Sequence, residues 1–421
     1  MSTSNNLQIL AIKGIFDKNN MKKIVLLCFL FLTTSIFYTQ TFQTGTITVT
    51  FNDATRTGGY GSGGGPGRQI QTEIYYPATV AGSNVAVASS SFPVVVIGHG
   101  FVMDWSSYNN IYAELSQRGY IVALPRTESG FSPSHSDFGL DLALVGNKVM
   151  QLNLTNTIAP IFAGKVDQKL ALAGHSMGGG SSFLAAKNNP SVTCLFNFAA
   201  AQTNPTSSQA AKQVYVPTLI IAGQADCVAP AAANQDKMWD STASAKKFEI
   251  IIKNLTHCDF GNGTNFNCTF GQSVSGCSNS VANATALKLY MNFVNPFLDF
   301  NLKGVCSEGT RFMDSVNLSQ VVFSKKQLGN LVCLSTNLSS KTDLTDLYIY
   351  PNPTSESIII DGLTQTGATV NVFSSIGQKI GVPIIFYENK LKINFAELPK
   401  GLYTIEITDN HGKLTKRIVN N

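Results

Sequence analysis

Ile47, Val49 and Phe51 alternate with Thr46, Thr48 and Thr50. This is the two-residue period of a strand with one buried face. A second strand is expected over 70–76. The segment between them, Thr57-Gly-Gly-Tyr-Gly-Ser-Gly-Gly-Gly-Pro-Gly-Arg68, is glycine-rich. A phosphate-cradling loop needs a helix after it and a Lys-Ser/Thr ending. Here a strand follows, so the segment reads as a flexible hairpin loop. Beyond it, short apolar runs alternate with helical stretches. Strands are expected at 92–97, 120–124, 170–173, 193–198, 218–221 and 248–252, with helices at 105–118, 137–153, 177–188 and 281–302. Continuous apolar strands separated by helices predict a mostly parallel sheet covered on both faces.

The texture then changes. Residues 326–346 are polar and lack a clear period, which reads as a linker. From Leu347 short strands follow at turn-separated spacing: 357–360, 369–373, 390–395, 403–407 and 414–419. They predict a small all-β sandwich. The expected organisation is therefore a leader at 1–40, an α/β domain at 41–325, the linker at 326–346 and the sandwich at 347–421.

Near the N-terminus Met21-Lys22-Lys23 precedes the apolar run 24–32 and the small, polar stretch 33–40. A basic start, a short apolar core and a polar end make a secretory signal peptide, and the run is short for a membrane span. This changes how the charge is read. Of the net +5, Lys13, Lys18, Lys22 and Lys23 against Asp17 account for +3, which leaves about +2 for the rest. A balance so near neutral, with no basic stripe, speaks against a nucleic-acid partner. Export also bears on the cysteines. Eight are present, with Cys28 in the leader and Cys194, Cys227, Cys258, Cys268, Cys277, Cys306 and Cys333 beyond it. An oxidising compartment favours disulfides, and an odd number leaves one cysteine over. The spacings do not suit a zinc site, and no metal is expected.

The strongest local motif is Gly174-His175-Ser176-Met177-Gly178, between an expected buried strand and an expected helix. A serine hydroxyl becomes a nucleophile when it is held on a tight strand-to-helix turn beside a base. The base is sought among five histidines. His175 sits inside the turn, His99 and His135 precede it, and His411 lies in the C-terminal segment. His257 alone follows the serine within the same domain. Asp226, at the end of Leu219-Ile-Ile-Ala-Gly-Gln-Ala-Asp226, lies between the two and is suited to orient an imidazole. Asp236 and Asp240, in the following helix, read as its solvated face. The backbone N–H of Met177, and that of Phe101 after His99-Gly100, are candidates for an oxyanion hole. Cys227 adjoins Asp226 and Cys258 adjoins His257. Pairs Cys227–Cys258 and Cys268–Cys277 are one expectation, although spacing does not determine connectivity.

Tyr75-Tyr-Pro77, His99-Gly100-Phe101, Gly174-His-Ser-Met-Gly-Gly179, Asp226 and His257 together resemble the polyesterase–lipase–cutinase branch of α/β-hydrolases, including PET hydrolases and chlorophyllase-like esterases. The resemblance covers about residues 68–302. It implies the α/β-hydrolase fold, a triad of Ser176, Asp226 and His257, an oxyanion hole of Phe101 and Met177, and a place for His175 in the wall of the acyl cleft. A cysteine just after the catalytic histidine is similar to some PET hydrolases. The sequence departs at Phe198-Ala-Ala-Ala-Gln-Thr203, where PET hydrolases carry a substrate-stacking tryptophan and this chain has none. Tyr350-Pro-Asn-Pro-Thr354 and Leu398-Pro-Lys-Gly401-Leu-Tyr403 make the tail similar to sorting domains of the type IX secretion system. That resemblance implies export through the outer membrane and a partner in the secretion machinery.

These features lead to a secreted or cell-surface serine carboxylic-ester hydrolase acting on lipidic, short-chain or polymeric esters, polyesters such as PET among them. No cofactor is expected, because acyl-serine chemistry needs none. The alternative is a catalytically silent hydrolase-fold protein that binds a surface. A peptidase or acyltransferase built on the same residues is a third reading.

Overall fold

The computed structural model describes residues 41–154, 157–277, 281–333, 347–361, 369–387, 390–409 and 412–421. The expected leader at 1–40 and most of the expected linker lie outside these residues, as does His411. The chain forms two compact units that divide between Leu331 and Val332. Among the described residues, no helix is long and apolar enough to cross a membrane.

The first unit is built on one large sheet. Its strands are Gln43–Asp53 (β1), Gly59–Tyr60 (β2), Arg68–Ala78 (β3), Gly82–Ser83 (β4), Phe92–Gly98 (β5), Ile121–Pro125 (β6), Val166–His175 (β7), Val192–Phe198 (β8), Thr218–Gly223 (β9), Lys247–Ile252 (β10) and Val322–Leu328 (β11). They lie in the order β11-β10-β9-β8-β7-β5-β6-β3-β1-β4, with β2 paired to β3. From β10 to β6 every neighbouring pair is parallel. β3 joins β6 antiparallel and β1 joins β3 antiparallel, so the glycine-rich segment does connect two arms of a hairpin. The predicted α/β-hydrolase fold is present.

Strand geometry explains the two layers around the sheet. Successive side chains point to opposite faces. Val94, Val96, Leu170 and Leu172 accordingly enter one core, with Phe138, Leu142 and Val145 of helix His135–Gln151 and Phe183 of helix Met177–Ala186. Val95, Ile97, Ala171 and Ala173 enter the other, with Ile111 and Leu115 of helix Asn109–Gln117 and with Tyr290, Phe293 and Phe297 of helix Asn283–Lys303. In chain order the helices are Asn109–Gln117 (α1), His135–Gln151 (α2), Met177–Ala186 (α3), Ser207–Ala211 (α4), Gln235–Ser241 (α5), Phe266–Val274 (α6), Asn283–Lys303 (α7) and Cys306–Ser315 (α8).

Three features depart from the sequence reading. β11 occupies Val322–Leu328 and runs antiparallel to β10, so residues 326–328 are sheet rather than linker. Its weak alternation hid it, because an edge strand leaves much of its surface in solvent. The helices α6 and α8 were not anticipated either, and α8 follows the stretch 281–302 expected to be the last helix of this domain.

In the second unit, strands Tyr348–Tyr350 (β12), Ser357–Asp361 (β13), Thr369–Ser374 (β14), Lys379–Ile380 (β15), Ile384–Tyr387 (β16), Lys390–Asn394 (β17), Gly401–Asp409 (β18) and Gly412–Asn420 (β19) form two sheets. Their orders are β12-β13-β17-β16 and β15-β14-β18-β19, with antiparallel neighbours throughout. Ile358, Ile360, Leu391 and Ile393 from one sheet meet Val372, Ile405, Ile407 and Ile418 from the other in a shared apolar core.

Candidate active site

Ser176 sits between β7 and α3 with φ 53° and ψ −120°, in the left-handed region that a non-glycine residue occupies only under constraint. The constraint is close packing. A Cβ on Gly174 would lie 2.2 Å from the carbonyl carbon of Gly178, and one on Gly178 would lie 2.2 Å from the carbonyl oxygen of Gly98. Only glycine permits strand, turn and helix to approach so closely. The turn holds Ser176 at the C-terminal end of β7.

Asp226 follows β9 and His257 follows β10. Since β7, β8, β9 and β10 are parallel neighbours, all three side chains emerge at one edge of the sheet. His257 Nδ1 lies 2.8 Å from Asp226 Oδ2, and both residues are buried. The other carboxylate oxygen, Oδ1, accepts from the main-chain N–H groups of Val228 and Ala229 at 2.9 and 2.8 Å. These bonds fix the carboxylate plane. Asp226 can then only accept from His257, so Nδ1 carries a proton and the Nε2 lone pair is available as a base.

His175 departs from its expected place in the cleft wall. It has no accessible surface, and its ring stands 4.7 Å from that of His257. His175 Nε2 donates to the main-chain carbonyl of His257 at 3.0 Å. Burial, and then the proximity of His257, hold the His175 pKa well below the usual histidine range. The ring is therefore neutral, and with Nε2 donating, Nδ1 must accept. Its donor is Tyr108 Oη at 3.0 Å, and that oxygen in turn accepts from the Gly100 N–H at 2.9 Å. His175 thus braces the site from below. Tyr108 was not singled out in the sequence, where it is one aromatic residue among many in a helical stretch.

Met177 occupies the first position of α3, where a helix leaves N–H groups without intrahelical partners. Phe101 lies in the turn after β5, and its side chain is half exposed. The next residue, Val102, has φ 52°, a rare conformation for a β-branched side chain. Its carbonyl accepts from Asn267 Nδ2 of α6 at 3.0 Å. Of the remaining histidines, His99 is buried with its ring nitrogens facing the carbonyls of Gly100 and Thr127, and His135 Nδ1 accepts from the Asn204 N–H. Asp236 is not simply solvated, since it pairs with Lys326 Nζ at 2.7 Å.

The cysteines pair differently from the expectation. Cys227 bonds Cys277, and Cys258 bonds Cys268. The physical reason is α6: it carries Cys268, ends just before Cys277, and packs between the loops of Asp226 and His257. The His257 loop is therefore stapled to the helix and the Asp226 loop to the turn just after it, rather than each to the other. Cys306 and Cys333 are also disulfide-bonded, and Cys194 is the buried free thiol. No cluster suited to a metal ion occurs among the described residues.

Comparison with known proteins agrees with this architecture. Among curated relatives, cutinase est1 of Thermobifida alba is 24% identical over 217 residues, which cover 51% of this chain and 64% of that protein. Bis(hydroxyethyl) terephthalate hydrolase of Streptomyces coelicolor is 26% identical over 187 residues, 44% of this chain and 54% of that protein. Cutinase 2 of Thermobifida cellulosilytica is 24% identical over 222 residues, 51% of this chain and 73% of that protein. The chain thus spans little more than half to three quarters of the length of these relatives. Residues 348–421 match the secretion system C-terminal sorting domain, which places the protein outside the cell or on its surface. Residues 38–283 match the PET hydrolase-like family model, and the chain belongs to that family.

Proposed function

We propose that this protein is a secreted serine hydrolase of carboxylic esters, with Ser176 as nucleophile, His257 as general base and acid, and Asp226 as the group that orients His257. The observation that carries the reading is the 2.8 Å Asp226–His257 pair at the sheet edge where Ser176 occupies its left-handed turn. In the first half-reaction Ser176 Oγ attacks the ester carbonyl carbon and His257 Nε2 takes the hydroxyl proton. The N–H groups of Phe101 and Met177 donate to the oxyanion. The tetrahedral intermediate then collapses, His257 protonates the departing alcohol, and an acyl-serine remains. Water, activated by the same nitrogen, releases the acid. The substrate class follows the relatives, which are named as cutinases and as a terephthalate-ester hydrolase. The sorting tail supports type IX secretion machinery as the partner during export.

The deciding experiment is hydrolysis of p-nitrophenyl esters, acetate to palmitate, by the full chain and by Ser176→Ala. The expected result is turnover by the wild type and a loss of about 10⁴-fold or more in the variant. A folded wild type that neither hydrolyses any ester nor reacts with a fluorophosphonate overturns the reading and favours the surface-binding alternative.

A further inference from the structure

The helix α6 carries an exposed apolar stripe that the site chemistry does not use. Phe266, Phe270 and Val274 recur every four residues and so share one helix face. Their exposures are 74%, 58% and 73%. The two phenyl rings stack with centroids 5.8 Å apart at 20°. The stripe is about 12 Å long, eight helical rises of about 1.5 Å each from Phe266 to Val274.

The helix and the turn after it are anchored to the candidate active site at several points, with Cys268 and Gln272 on the face opposite the stripe. Cys268 bonds Cys258, next to His257, and Cys277 bonds Cys227, next to Asp226. Gln272 Oε1 accepts from the Cys258 N–H at 2.9 Å, and Asn267 donates to the Val102 carbonyl at 3.0 Å. The stripe is therefore a rigid extension of the loops that carry the candidate base, acid and oxyanion donors. Exposed aromatic residues on a pre-ordered helix bind apolar partners at little entropic cost.

We infer that this stripe is a docking platform for a neutral, water-insoluble polyester chain, holding it while an ester group of the same chain lies at Ser176. The inference rests on the proposed function and names the substrate class. Charge decides among apolar partners. Residues 260–287 contain no Asp, Glu, Lys, Arg or His. A membrane-binding helix sets lysines and arginines beside its apolar face, and an ionic polymer needs countercharges. An uncharged aromatic face fits a chain that is itself uncharged. The stripe also supplies the aromatic contact surface that the tryptophan-free segment 198–203 lacks.

The test measures adsorption of the full chain carrying Ser176→Ala, which separates docking from turnover. The probe is a suspension of poly(ε-caprolactone) nanoparticles. Adding Phe266→Ser, Phe270→Ser and Val274→Ser is expected to weaken adsorption about tenfold or more. Phe266→Trp with Phe270→Trp is expected to strengthen it. With Ser176 restored, the ratio of polyester to p-nitrophenyl acetate turnover falls in the serine variant. Circular dichroism checks that each variant is folded. Equal adsorption by all folded variants overturns the platform. Stripe-dependent adsorption to phosphatidylcholine vesicles with none to polyester overturns it in favour of a lipid surface. Stripe-dependent polyester adsorption in a chain without esterase activity supports the platform and sinks the hydrolase reading instead.

Discussion

His175 Nε2 stands 3.0 Å from the main-chain carbonyl oxygen of His257, so the residue before the candidate nucleophile holds the backbone of the candidate base. Through Nδ1 the same ring receives the Tyr108 hydroxyl, which accepts the N–H of Gly100 beside Phe101. One buried neutral imidazole thereby joins the Ser176 turn, the His257 loop and the turn that carries Phe101.

Tyr108→Phe removes both bonds at once. A buried Gly100 N–H and a buried His175 Nδ1 are then unpaired, at a cost of about 1–3 kcal/mol each before relaxation. The expected outcome is a lower Tm and a kcat reduced about tenfold with KM little changed, because the loss falls on the geometry of the reacting groups. Steady-state kinetics on p-nitrophenyl butyrate check it, and a wild-type kcat would show that the bridge is structural only.

Asp226→Asn keeps the shape of the site but reverses one hydrogen bond. The amide oxygen still accepts from the Val228 and Ala229 N–H groups, which turns the amide nitrogen toward His257 Nδ1. Nδ1 must then accept, the ring proton moves to Nε2, and the base is lost. A fall of about 10⁴-fold in kcat is expected with the fold intact.

The two disulfides at α6 close loops of different size, with sequence separations of 50 for Cys227–Cys277 and 10 for Cys258–Cys268. On loop-closure entropy alone, removal costs about 4 and about 3 kcal/mol respectively. Serine replacements of each pair, followed by thermal melts, are expected to rank in that order. Either replacement should also lower kcat, since each bond ends beside a candidate catalytic residue.

Glu249 of β10 lies opposite Lys326 of β11, and burial pushes its pKa up to about 8 from 4.5. Between those values the folded chain keeps a proton that the unfolded chain has released, so stability falls as pH rises through that range. Glu249→Gln removes the titration. Its Tm is expected to match the wild type near pH 4.5 and to exceed it by a few degrees at about pH 9. Asp236, also near Lys326, keeps an ion pair in the variant. Equal Tm values across the range would refute the assignment.

The positions of Ser176, Asp226 and His257 in the fold were legible because each follows a short apolar strand. A short continuous apolar run is a local property, and it survives in the order of residues. The burial of His175 was not legible, since a turn residue beside a serine can face the cleft or the core and only the packing of Tyr108 and the His257 loop decides. The helix α6 was hidden because Asn267-Cys-Thr-Phe-Gly-Gln272 has few strong helix formers. Its apolar spacing at 266, 270 and 274 was the available signal.

The sequence by itself therefore determined the sheet with its two covered faces, the edge at which Ser176, Asp226 and His257 stand, the exported character of the chain and its C-terminal sandwich. All of these rest on periodicity and on motifs within a few residues. Tertiary structure alone decided which cysteines pair, where the His175 ring points, that 322–328 completes the sheet, and that an apolar stripe stands exposed beside the site. Those outcomes depend on contacts between segments ten or more residues apart, where the choice among partners is made by shape and packing rather than by the chain's local pattern.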